Sequence, residues 1–292
     1  MTAKAEHLTL SAASLAAPLA DLRHTTLAGE VLATFQRSAY LDLGGRIVAL
    51  ASVELERGPL TITVHDFATV REYIATGRVV ADSGLLHLGA IAVDLRGAEV
   101  WDPSLPRIPA DAGWTASAVV VDELWSAAPI GSVVALLGPA AASDPLLDAL
   151  RRGLDAIGRL LDNPDRPSAP IQVIGQEVAG RGPGLTPSGD DLLMGVMLAL
   201  SAWPRLTRPG YASRVCNLLA ESAGPRTTRI SAAYLDASRM GWAADPWHAL
   251  VRSLTRQPEA VRDAVRRLTR IGETSGADSL TGFCWAWRRL ED

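Results

Sequence analysis

The chain is short of several groups on which common enzyme chemistries depend. Lysine occurs once, at Lys4. A Schiff base and a lysine phosphate anchor are therefore excluded outside the first few residues, and every other cationic task falls to arginine. Cysteine occurs twice, at Cys216 and Cys284. Neither sits in a C-x-x-C or Cys/His cluster, which excludes a disulfide framework and a thiolate metal site. The five histidines are scattered, and none has an H-E-x-x-H spacing, so any bound metal is expected to be a hard, oxygen-ligated ion. Net charge is −4, which gives no electrostatic footprint for nucleic acid. No apolar run approaches the ~20 residues that a membrane-spanning helix needs. The apolar stretch from Leu8 to Ala20 faintly resembles a secretory signal, but Glu6 lies beside it and alanine and serine dominate it. The expectation is a cytoplasmic chain with neither nucleic acid nor membrane as a partner.

A content of 48% apolar and 21% charged residues over 292 positions fits one large or two ordinary globular domains. Residues 45 to about 125 read as β-rich. Arg46–Leu55 is a strand, Arg57-Gly58-Pro59 a turn, and Leu60–His65 alternates as a half-buried strand should. Asp66 caps a short helix through Tyr73 and Ile74. Further strands are expected at Val79-Val80, Leu85–Leu88, Ala90–Leu95 and Ala98–Trp101, at a spacing that suits a small barrel or sandwich. After Gly138-Pro139 the pattern turns helical. Leu146, Leu147, Leu150, Leu154, Ile157 and Leu161 share one face, and the proline-rich stretch Asn163–Pro170 ends that helix. Helices then follow at about 188–202, 209–222, 229–240, 245–256, 259–270 and 275–290. Phe283, Trp285 and Trp287 cannot all share a face of the last one. The expected fold is α+β: a β-rich barrel or sandwich-like domain over residues 1–140, followed by a mainly helical domain over 141–292.

The densest chemistry lies in Gly180–Asp191, with four glycines, two hydroxyls and two adjacent carboxylates just before an apolar run. Gly182, Gly184 and Gly189 allow a loop to approach a ligand closely. Thr186-Pro187 reads as a helix start with threonine at the N-cap. The segment lacks the lysine of a phosphate-binding P-loop and the spacing of a dinucleotide fingerprint. Two later segments share its grammar. Gly224–Ser231 carries Thr227, Thr228 and Arg229, and Gly272–Asp278 carries Thr274, Ser275 and Asp278. Three hydroxyl-capped helix starts in one half of the chain suggest helix N-termini converging on an anion or polar ligand. Arg229 supplies a bidentate fork for phosphate or carboxylate. Asp190, Asp191 and Asp278 could hold Mg²⁺ or orient a polar substrate. Asp190 and Asp191 point about 100° apart on a helix, so one of them is expected to be central.

The strings GPGLTPSGDD (182–191), TTRIS (227–231) and GETSGAD (272–278) resemble those of a bacterial family that includes the AllH subunit of oxamate carbamoyltransferase, from anaerobic allantoin degradation. Gly29–Arg37, Gly44–Leu50 and Trp101–Pro106 look like that family's N-terminal elements, with Leu32 where the family carries a polar residue, often histidine. The resemblance implies a subunit or homologue of a carbamoyltransferase that binds carbamoyl phosphate or a related small anion. Further carbamoyltransferase subunits are then the expected protein partners. Under that reading Gly182, Gly184 and Gly189 shape a cradle; Thr186, Ser188, Thr227, Thr228, Thr274 and Ser275 donate hydrogen bonds; and Asp190, Asp191, Arg229 and Asp278 carry the chemistry. Two rival functions fit the same residues. One is a Mg²⁺-dependent hydrolase of a small amide, phosphoester or N-glycosidic bond. The other is a non-catalytic subunit that binds a small carboxylate or acts as a scaffold.

Overall fold

A computed structural model describes residues 8–74, 77–112, 114–139, 144–165, 167–203 and 210–291. The chain divides into two compact units, Met1–Pro103 and Ser104–Asp292. Lys4, residue 140 and the expected helix start at 209 lie outside the described residues.

The first unit is an eight-stranded barrel with one extra strand. Its strands are β1 (Leu8–Ala16), β2 (Leu27–Thr34), β3 (Ser38–Leu43), β4 (Arg46–Ser52), β5 (Thr61–Val64), β6 (Arg78–Asp82), β7 (Leu85–Leu88), β8 (Ile91–Asp94) and β9 (Glu99–Trp101). The order β5-β4-β3-β2-β6-β7-β8-β1 closes through a further β1–β5 pairing, and β9 adds to β1. Closure leaves no long unpaired edge in the barrel. Within the apolar segment Leu8–Ala20, Leu8–Ala16 is the closing strand and Ala17–Ala20 begin a 3-10 helix. Leu8–Ser11 pairs parallel with β8, and Ala12–Leu15 pairs antiparallel with β5. Leu15, Leu41, Leu50, Ile62, Val64 and Leu86 are fully buried inside. The alternating segment 61–64 is buried throughout rather than half-buried. Its threonines can sit inside because each has a partner: the Thr63 and Ser14 hydroxyls lie 2.7 Å apart, and Thr61 Oγ1 accepts from Gly58 N at 3.2 Å. Asp66 caps α1 (Phe67–Tyr73) as expected, accepting from Thr69 N at 3.0 Å.

The second unit is helical. It comprises α2 (Trp114–Ala127), α3 (Pro145–Asp162), α4 (Ser168–Glu177), α5 (Ser188–Ala202), α6 (Tyr211–Ala223), α7 (Arg229–Arg239), α8 (Asp245–Ser253), α9 (Pro258–Leu268) and α10 (Ser275–Glu291). The β-rich reading therefore stops near Trp101. The run Val119-Val120-Val121 suggests a strand, yet it lies in α2, where Val120 and Leu124 are fully buried and the helix packs on α9 and α10. Tertiary burial overrides the weak strand preference of β-branched residues. The division between units thus falls at Pro103/Ser104, ahead of the composition change at Gly138-Pro139. The proline-rich stretch ends α3 as expected but also opens α4. Pro167 is its N-cap and Pro170 sits in its first turn, where no intrahelical N–H bond is lost.

Helix α5 is buried almost along its whole length, as its uninterrupted apolar run Leu192–Leu200 requires. It packs most extensively on α10, with α6 and α7 also against it. The α5–α10 contact is backbone on backbone. A Cβ at Gly195 would lie 1.7 Å from Ser279 O, and one at Gly282 would lie 2.0 Å from Leu192 O. Only glycine fits at either point. Phe283 and Trp287, both buried, form edge-to-face contacts along α10, and Trp203 and Trp247 extend the cluster; Trp285 is half-buried. Cys216 and Cys284 are free and buried.

Candidate functional site

The glycine-rich segment folds back onto the first turn of α5. Gly180 (φ +68°) and Gly182 (φ +109°) adopt left-handed backbone. A Cβ at Gly180 would meet Arg226 O at 2.5 Å, and one at Gly182 would meet Ser188 N at 2.8 Å, so both positions require glycine for space as well as conformation. Gly184 (φ +93°) faces open space. The helix start differs from the expected one. Pro187 is the N-cap with no side-chain cap, and the Thr186 hydroxyl is instead 2.8 Å from Ser275 Oγ at the start of α10. Gly189 N donates to Arg181 O at 2.8 Å, and Asp190 N and Asp191 N both donate to Pro187 O. The loop itself thus takes up much of the hydrogen-bonding capacity at this helix end. Thr228 behaves as expected: it caps α7 by accepting from Ser231 N at 3.0 Å, and its hydroxyl donates to Leu185 O at 2.5 Å.

Segments 180–191, 227–231 and 274–278 therefore meet within the helical unit through Thr228–Leu185 and Thr186–Ser275. The three carboxylates have different surroundings. Asp190 is fully buried and satisfied: Oδ1 accepts from Gly180 N at 2.9 Å, and Oδ2 accepts from the Thr227 and Ser231 hydroxyls. It knots the glycine loop to the α7 start. Burial nonetheless holds its carboxyl above the usual range, against the pull of these donors. Asp191 is 3% exposed, and its Oδ2 has no hydrogen-bond partner. Burial pushes its carboxyl well above the usual range. The Ser275 and Thr186 hydroxyls ease this, while Asp278 and Asp190 raise it further. Asp278 is 0% exposed; its Oδ1 accepts from Val133 N at 2.7 Å, and its Oδ2 has no partner. Its carboxyl is also raised by burial, with Val133 N and the hydroxyls of Ser188 and Thr274 acting in the opposite sense.

Sequence patterns gave no hint of Val133, which contributes a backbone N–H from the 3-10 turn Val133–Leu137 across a long separation in the chain. Ser231 and Gly180 were also missed as functional positions, although both stand in the quoted glycine and hydroxyl segments. Arg229 opens α7 with an exposed side chain. Arg226 lies flat on α4: a Cβ at Gly175 would be 3.2 Å from its Nε. Arg181 donates to Gln176 O at 2.9 Å. Among the described residues no group of three or more His, Cys, Asp or Glu side chains is arranged to hold a metal ion. Asp190 is closed to a cation because its two oxygens are already engaged by three donors. As a set of three, Asp190, Asp191 and Asp278 therefore lack one of the ligands that a shared Mg²⁺ ion would need.

Among the described residues no helix is long and apolar enough to cross a membrane. No solved structure matches the chain. The family described as oxamate carbamoyltransferase subunit AllH matches residues 178–287, from the last turn before the glycine loop to the aromatic stretch of α10. Gly29–Arg37, Gly44–Leu50 and Trp101–Pro106 lie outside that match. All three segments that build the site lie inside it, so the likeness to the AllH family of oxamate carbamoyltransferase subunits extends over the part of the chain that carries the site.

Proposed function

We propose that this protein is a cytoplasmic carbamoyltransferase component whose helical unit binds a small carbamoyl or amide substrate where the glycine loop meets the N-terminal turns of α5, α7 and α10. The observation that supports this most is the presence of two buried carboxylate oxygens without partners, on Asp191 and Asp278, within the family-matched segment. Native proteins rarely leave such groups unsatisfied unless a ligand or proton completes them. In the transfer, the nitrogen of an oxamate-type acceptor bonds to the carbamoyl carbon of carbamoyl phosphate. The carbon–oxygen bond to phosphate breaks, and phosphate leaves with the electron pair and accepts the proton released by nitrogen. Little general-base strength is needed; positioning and charge stabilisation supply the rate. In this reading Gly182, Gly184 and Gly189 shape the cradle. Thr186, Ser188, Thr274 and Ser275 line it, while Thr227 and Thr228 hold the loop. Asp190 is a positioning residue. Arg229 provides the fork for the phosphate.

The family description is that of a subunit, so partner chains that complete a transferase of allantoin degradation belong to the proposal. A purely binding role is the second reading, favoured by the amount of hydrogen bonding that the loop satisfies internally. Isothermal titration with carbamoyl phosphate tests the site. Binding that disappears in Arg229→Ala supports it, whereas unchanged affinity in that variant removes the role given to Arg229. Binding without carbamoyl transfer, both alone and with partner subunits added, selects the second reading.

A further inference from the structure

Asp191 and Asp278 sit on the first turns of α5 and α10, which pack together, and each buries one oxygen, Oδ2, that no donor reaches. No arginine pairs with either carboxylate among the described residues. Of the neighbouring hydroxyls, Thr186 and Ser275 are 2.8 Å apart and use one proton between them, while Ser188 and Thr274 act on the Asp278 carboxyl without bonding its Oδ2. In their ionised form, two buried acceptors without donors reject a carboxylate or phosphate oxygen, which would place lone pairs against lone pairs. They suit a group that brings two N–H donors in one plane.

We infer that Asp191 and Asp278 together recognise the NH2 group of a primary amide or carbamoyl ligand, so that this end of the site selects for nitrogen while the anionic end of the ligand lies elsewhere. The inference rests on the site proposed above and assigns these two carboxylates to specificity. The NH2 group is common to oxamate and carbamoyl phosphate, and each has a partner of equal charge and similar size with methyl in its place: pyruvate for oxamate, acetyl phosphate for carbamoyl phosphate. A site built to bond N–H discriminates strongly against an analogue that lacks it.

Asp278 also provides a directed variant. Its Oδ1 is held by Val133 N. In Asp278→Asn the carbonyl oxygen keeps that bond, and the amide nitrogen replaces the unpartnered oxygen, turning acceptor into donor. Isothermal titration of the full chain with the four compounds is expected to show at least ten-fold tighter binding of the NH2-bearing member of a pair. The pair that shows this preference identifies whether acceptor or carbamoyl donor occupies the position. The preference should vanish or reverse in Asp278→Asn and weaken in Asp191→Asn, which serves as a second variant should the first fold poorly. Equal affinity for both members of each pair, or a preference intact in both variants, overturns amide recognition and leaves the site standing. No binding of any of the four compounds overturns the site and the inference together.

Discussion

The barrel and the helical unit treat charge in opposite ways. In the barrel, Asp21, Asp66 and Asp94 titrate below the ordinary carboxylate range. Asp21 is held low by Arg46, Asp66 by the Thr69 hydroxyl and backbone N–H, and Asp94, at about 2, by Arg96. In the helical unit the three that depart, Asp190, Asp191 and Asp278, all move up, and burial is the largest cause for each. Asp21, Asp66 and Asp94 lie towards the surface with partners that favour their charge, and Ser14 and Thr63, taken inside, satisfy each other. Helical-unit acids are enclosed at helix starts, and two of them lack a partner for one oxygen. The first arrangement follows from folding alone. The second works against stability, and such a cost is commonly retained where a ligand is bound.

The contrast can be broken or sharpened by substitution. The largest effect is expected at Gly195, where a methyl would fall 1.7 Å from Ser279 O. Gly195→Ala should destabilise the helical unit by at least about 3 kcal/mol, read as an early loss of helical circular dichroism in urea while the β signal persists. Simultaneous loss of both signals would show that the two units do not unfold separately. Asp190→Ala strands Gly180 N and the Thr227 and Ser231 hydroxyls. Calorimetric melting should register a loss of about 2–3 kcal/mol. An unchanged melting temperature would place Asp190 with the acids that cost stability.

Asp191→Asn should act the other way. Its folded-state carboxyl titrates above the unfolded value of 3.8. Its contribution is therefore fully present below that value and is lost as pH rises through the raised one. The variant should be more stable than the parent by about 1–2 kcal/mol at pH 8, and the gain should shrink towards pH 4. A destabilised variant at pH 8 would mean that the ionised group has a partner. Asp94→Asn in the barrel should give the smallest change and the opposite sign. The Arg96 hydrogen bonds depress its titration to about 2, so its contribution is present above 3.8 and fades as pH falls through about 2. A slight lowering of the melting temperature at pH 7, absent in strong acid, is the expected result.

Much of this organisation was legible in the sequence because it depends on local chemistry. The apolar period of α3, the cap at Asp66 and the glycine and hydroxyl runs before α5, α7 and α10 all act over a few residues. Elements set by distant partners were not legible. Strand β1 is short on turn signals and rich in alanine, and it becomes a strand because β5 and β8 have free edges for it. Helix α2 carries a valine run whose helical state depends on α9 and α10. Within the site, composition identified the three segments but not the division of labour. Asp190 and Asp191 are adjacent in sequence, yet one is saturated by donors and the other is not. The donor to Asp278 is a backbone N–H at Val133 that no side-chain pattern could announce.

The glycine contact between α5 and α10 has a kinetic consequence. With Gly195 against Ser279 O and Gly282 against Leu192 O, the two first turns that carry Asp191 and Asp278 can separate only if this helix pair comes apart. Backbone amides along it should then exchange with deuterium only through the rarest, most global openings. The exposed loop Arg181–Leu185 should exchange orders of magnitude sooner. If the proposed site binds its ligand, entry and exit are timed by the loop, over a seat that keeps its spacing throughout.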